Sequence, residues 1–240
     1  MPPAFESTRP RFDAVLPRVS DFRRRLRDAA APLGGDAGST LQASLEPSLL
    51  QDLKRFEAQA GGKVEALQVV AAAVRHARPL RMLLQHDGLV LPLTVMPLER
   101  VVHAPLPLAQ WGLLRWSALE VLQVEPAPEW DGEPAHADHL APLGVVLWAL
   151  ALQGSRAELL PEIAGPVAYR IAPTTDLSAL DLGGPVAQAM NRLRRQSTPL
   201  RELSQWPGLS RERAMRLLNG VYLQAGLIVT RSHPAAAGNP

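Results

Sequence analysis

Proline interrupts this chain 23 times and glycine 17 times in 240 residues. Proline removes a backbone donor and clashes with the preceding helical turn, and glycine costs about 1 kcal/mol in a helix interior. Every helix and strand is therefore expected to be short. Material for a packed core is still ample, because 47% of the residues are hydrophobic and 20% charged, a balance that excludes wholesale disorder. One large domain or two small ones fit the length.

Cysteine is absent, which removes disulfides, thiol nucleophiles and cysteine-based zinc or iron–sulfur sites. Residues Met1 to Glu6 lack the charged-then-apolar layout of a signal peptide. The longest apolar stretch, Leu140 to Leu152, contains Pro142 and Gly144 and is too short to span a bilayer. It reads as a buried core helix. A cytoplasmic protein without membrane contact is expected.

Apolar periodicity then divides the chain. Phe12, Val15, Leu16, Val19, Phe22 and Leu26 keep helical spacing from Arg11 to Ala30. Arg18, Arg23, Arg24, Arg25 and Arg27 would form its solvated face, with Pro17 at a start or kink. A Gly-rich linker at 33–39 precedes two amphipathic helices, one carrying Leu49, Leu50, Leu53 and Phe56, the other Val64, Leu67, Val70, Ala71 and Val74. The period changes at Leu80, where two strands flank His86-Asp87-Gly88, a hairpin signal. Pro92 cannot donate to a ladder, so its strand belongs at an edge or bulge. Two more strands are expected at 98–103 and 119–124. From Leu119 to His139 there are six acids and no Lys or Arg, and prolines 126, 128 and 134 make most of it an exposed acidic loop. A helical stretch from Leu140 to about Ile163, a strand at 167–172 and a loop at 174–184 follow.

Residues 186–231 are the most informative. Val186, Met190 and Leu193 keep helical spacing; Thr198-Pro199 is a cap followed by a helix-starting proline; and a short helix to Trp206 would bury Leu200, Leu203 and Trp206. Pro207-Gly208-Leu209 turns the chain, and Ser210 caps a longer helix with an apolar stripe at Ala214, Leu217, Leu218, Val221, Tyr222 and Ala225. Gly226 ends it, and Leu227 to Thr230 reads as a strand. This order resembles the winged-helix branch of the helix-turn-helix superfamily, through Leu200, Leu203, Gly208, Leu217, Leu218 and the Ala225-Gly226-Leu227-Ile228 exit. The expected fold is thus α+β: a small antiparallel sheet packed by helices, with a C-terminal winged-helix-like module. Its parts are an arginine-rich helix and linker (1–38), a central α+β domain (39–175) and the module with its tail (176–240).

The resemblance implies that the helix Ser210 to Ala225 presents its exposed side chains to a groove or a partner. With the stripe inward, Glu212, Arg213, Arg216, Asn219, Gly220 and Leu223 face outward, with Arg211 at the edge. Eight arginines against Glu202 and Glu212 give residues 191–231 a local excess of six positive charges in a chain of net +2, the footprint of phosphate contacts. Three features favour a protein partner instead. The tail after Arg231 is not expected to supply the returning strand of a wing, Glu212 would repel phosphate, and outward Gly220 and Leu223 suit a protein contact. The candidate contact residues are Arg194, Arg195, Arg201, Arg211, Arg213, Arg216, Asn219 and Leu223.

No catalytic arrangement emerges. His76, His86 and His103 are scattered, and no Gly-x-Ser-x-Gly motif occurs. His136, Asp138 and His139, with Asp131 and Glu133, have metal-ligand chemistry in a proline-rich loop but lack the rigidity of a zinc site. Gly61-Gly62-Lys63 fails the phosphate-loop pattern, with Glu57 at its first glycine and Val64 in place of Ser/Thr. The expectation is a non-enzymatic regulatory or adaptor protein without metal, cofactor or evident small-molecule ligand. Its partner would be another protein or a second copy, with DNA as the alternative.

Overall fold

In the computed structural model, residues 16–29, 46–59, 64–127, 139–178, 180 and 182–231 are described. Helix α1 (Val19–Ala29) is followed by α2 (Pro47–Gln59) and α3 (Ala66–His76). Strands β1 (Leu80–His86), β2 (Leu89–Met96), β3 (Val101–His103), β4 (Glu120–Pro126) and β5 (Leu140–Pro142) then form an antiparallel sheet in the order β4-β1-β2-β3-β5. The fold is α+β.

The β1–β2 hairpin forms where the sequence places it. Asp87 and Gly88 both take positive φ, 48° and 81°, as a two-residue primed turn requires. Leu80, Met82 and Leu84 alternate with more exposed residues along β1, and Leu91, Leu93 and Val95 do so along β2, so one face of the sheet lies under helices. β2 is interior only where residues 94–96 pair with β3. Pro92, opposite Leu83 of β1, lies outside that pairing and costs the β3 side no ladder bond.

Helix α1 begins at Val19, eight residues later than the expected start at Arg11; residues 11–15 of that expectation lie outside the described ones. Pro17 and Arg18 instead add to the hairpin, with Val90 N–H donating to Pro17 O at 2.8 Å and Val19 N–H to Gly88 O at 2.9 Å. Arg23, Arg24, Arg25 and Arg27 are exposed, as a solvated face requires.

The expected helix from Leu140 to Ile163 is corrected in two places. Residues 140–142 are strand β5, and helix α4 (Leu143–Gln153) stops at Gly154. Gly154 is extended, and a Cβ there would lie 2.2 Å from Leu150 O, so a side chain would clash with the helix it leaves. Leu160 and Ile163, which continue the apolar pattern, reach the core from an irregular connector and a single 3₁₀ turn at 161–163.

Strand β6 (Ala168–Ile171), helix α5 (Gly184–Arg195), strand β7 (Thr198–Pro199), helix α6 (Leu200–Leu203), helix α7 (Arg211–Leu223) and strand β8 (Leu227–Thr230) follow. Thr198 and Pro199 are not a helix cap and first turn, as expected, but pair with Tyr169 and Ala168. The second sheet has the order β7-β6-β8, antiparallel throughout. Its central strand therefore precedes the helices. That moves the expected boundary at residue 175, which would sever β6 from both its partners. One apolar cluster runs continuously from Leu80 and Leu93 through Leu147 to Leu193 and Leu217.

Candidate functional site

Ser210 caps α7 as the sequence indicates, its Oγ accepting from Arg213 N–H at 3.2 Å. Ala214, Leu217, Leu218 and Val221 are buried. At the far end Ala225 takes the left-handed conformation (φ 55°), with its N–H to Tyr222 O at 2.9 Å and Gly226 N–H to Val221 O at 3.0 Å. These bonds satisfy carbonyls that the helix would leave open. Gly226 is needed for proximity, since a Cβ there would fall 2.4 Å from Thr175 Cγ2.

The opposite face of α7, expected to point outward, is docked on α4. Gly220 abuts the ring of Trp148, and a Cβ at 220 would meet ring carbons at 2.7 and 2.8 Å. Arg216 Nη1 donates to Leu152 O (3.1 Å) and Gly154 O (2.6 Å) at the C-terminus of α4, where a cation is favoured by the helix dipole. Gln224 Nε2 donates to Gly144 O (2.7 Å) at the N-terminal end of the same helix. The two helices thus run antiparallel with a polar clamp at each end. Asn219 is fully buried: its Oδ1 accepts from Leu160 N–H (2.9 Å) and its Nδ2 donates to Glu158 O (2.8 Å).

Three of the eight expected contact residues are therefore misplaced by the sequence reading. Arg216, Asn219 and Leu223 belong to an internal joint, with Arg216 only 15% exposed and Leu223 at 7%. Arg194 is half-buried and donates to Thr175 O at 3.0 Å. Arg195, Arg201, Arg211 and Arg213 remain on the surface. Of these, Arg213 is tied to the turn, its Nη1 donating to Gly208 O at 3.2 Å, and Gly208 (φ +76°) rests on Pro185 at the start of α5; Arg192, outside the expected set, lies 4.0 Å over the Trp206 ring.

The part-buried ion pair of Arg156 with Glu65 has no local sequence signal, because the partners lie 91 residues apart. Arg156 also donates to Leu159 O at 2.6 Å, so it ties the start of α3 to the connector. Tyr169 is fully buried and donates its hydroxyl to Ile163 O at 2.8 Å. Burial pushes its pKa up to about 12, with Arg231 opposing. The raised pKa means the folded state keeps the proton longer than the unfolded chain. Stability from this group is complete below pH ~10 and is lost as pH rises from ~10 through ~12, by roughly 2–3 kcal/mol. Urea unfolding at pH 9 and 11.5 should show that loss, and Tyr169→Phe should flatten it.

The acidic residues 129–138, including His136 and Asp138, and Gly61-Gly62-Lys63 lie outside the described residues. Among the described residues no three His, Asp or Glu are grouped to hold a metal, and no helix is long and apolar enough to cross a membrane. Comparison with protein-family models, with curated proteins and with solved structures finds no match.

Proposed function

We propose that this chain is a non-enzymatic regulatory or adaptor protein that acts through protein–protein contacts of a winged-helix-like C-terminal module. The observation that carries this reading is the burial of the α7 face on α4. A helix whose outward residues are Arg216, Gly220 and Leu223 cannot insert them into a major groove while they clamp another helix. The sheet supports the family resemblance: β6 occupies, beside β8, the place that a returning wing strand would fill from downstream. The partner surface is then the exposed arginine set Arg195, Arg201, Arg211 and Arg213, suited to bidentate contacts with carboxylates of another protein or a second copy.

The same four arginines keep DNA as the alternative, with phosphates as the only contacts. Two measurements separate the readings. A triple charge reversal, Arg201→Glu, Arg211→Glu and Arg213→Glu, is expected to change either the set of cross-linked partners or the mass in light scattering. Unchanged partners and unchanged mass would place the function elsewhere. Gel-shift assays on genomic fragments are expected to show no duplex binding at low salt; binding that weakens steeply with salt would establish the DNA reading instead.

A further inference from the structure

Helices α2 and α3 and the connector between α4 and β6 line a half-open cleft of about 530 Å³, inside the range of small-molecule clefts (~300–1,000 Å³). Its polar lining among the described residues is rich in donors: Arg55 and Gln59 from α2, Gln68 and Arg75 from α3, with the carboxylate of Glu162 from the connector. Arg75 engages that carboxylate, and Asp52 pairs with both guanidinium groups, 3.1 Å from Arg55 and 3.3 Å from Arg75. Asp52 is also 3.0 Å from His76 Nε2. A guanidinium carries five N–H donors, and these ion pairs occupy only part of each fork. Asp52 thus fixes two arginines in place while leaving N–H groups for the cleft, and Gln68 is held by its own bond to Glu65 at 3.1 Å. Pre-oriented donors around a half-open polar space are the arrangement that recognises planar or tetrahedral oxyanions.

We propose that this cleft binds a small metabolite through a carboxylate or phosphate group, held by Arg55 and Arg75 with the amides of Gln59 and Gln68 as further donors. The site is independent of the partner surface described above. It has a mechanical consequence, because its connector wall is gripped by the C-terminal segment. Asn219 of α7 holds Glu158 O and Leu160 N–H, and Arg231 Nη2 donates to Glu162 O at 3.3 Å. An anion held by Arg55 and Arg75 beside Leu160 and Pro161 of the connector joins the central helices to that segment and stiffens both.

The test is calorimetric titration of the full chain with inorganic phosphate, glucose 6-phosphate and succinate, and with glucose as the uncharged control. At least one of the three anions is expected to bind saturably and glucose not at all; which of them binds distinguishes a phosphate site from a carboxylate site. Arg55 is about half exposed, so Arg55→Ala keeps the fold, which circular dichroism verifies. That variant is expected to weaken binding about tenfold or more through loss of a charge-assisted bond, while Arg211→Ala leaves it unchanged. The bound anion is also expected to slow amide exchange in residues 158–163. Absence of saturable binding by all three anions, or equal affinity in Arg55→Ala, overturns the proposal, the latter outcome marking an adventitious surface ion.

Discussion

Replacing Gly220 by leucine is expected to lower the free energy of unfolding by about 3 kcal/mol. The α4–α7 joint leaves no room at this position: even a methyl group would lie 2.7 Å from one carbon of the Trp148 ring and 3.4 Å from Ala151 Cβ. Trp148 is itself buried, so its ring can move only by displacing core neighbours. The smaller change Gly220→Ala makes the sign diagnostic. On an exposed helix face it would stabilise by up to ~1 kcal/mol, because alanine is the better helix former. In the docked arrangement it is expected to destabilise, as overpacking outweighs propensity. Urea unfolding of the three proteins, followed by Trp fluorescence, reads both outcomes. Stabilisation by alanine would mean that α7 does not rest on α4.

Asn219→Leu is the second large effect, expected to cost ~2–4 kcal/mol although leucine has the same number and branching of side-chain heavy atoms. The residue is fully buried and meets two backbone groups of the connector, Glu158 O and Leu160 N–H. Leucine leaves both without a partner, and each buried polar group stranded in this way costs ~1–3 kcal/mol. A surface asparagine would tolerate the same substitution within ~0.5 kcal/mol. Asn219→Asp restores the acceptor for Leu160 N–H but sets an anion against the Glu158 carbonyl. It is expected to be nearer to wild type at pH 3 than at pH 7, where it ionises. An unchanged unfolding midpoint in Asn219→Leu would remove the clamp from the account.

These two residues also show where sequence reasoning ends. The stripe from Ala214 to Tyr222 and its Ser210 cap are local signals, and they locate α7 correctly. The hairpin at 80–96 is equally legible, because Asp87-Gly88 and the period of two are both local. A helical wheel cannot say, however, that the polar residues of the other face will satisfy backbone groups 59 to 80 residues away. Arg216 and Asn219 look solvated on the wheel, yet with Gln224 they serve carbonyls and an N–H of α4 and the connector. The signal that could have found the joint was the company they keep: Gly220 and Leu223 on a supposedly wet face, facing an α4 that is apolar on nearly every side. The order of the second sheet was illegible for a different reason. Strands of two and four residues carry too little pattern to name their partners.

That second sheet imposes a schedule on synthesis. β6 is its central strand, yet β8 begins 56 residues after β6 ends. At ~5–20 residues per second of chain elongation, the older strand waits ~3–11 s before its last neighbour exists. During that interval its outer hydrogen-bonding edge is open, and the face of Trp148 that Gly220 will cover has no lid. The second sheet and the α4–α7 joint are thus completed late, by α7 and β8, and a ribosome that stalls within α7 would release a chain with a bare strand and a bare helix.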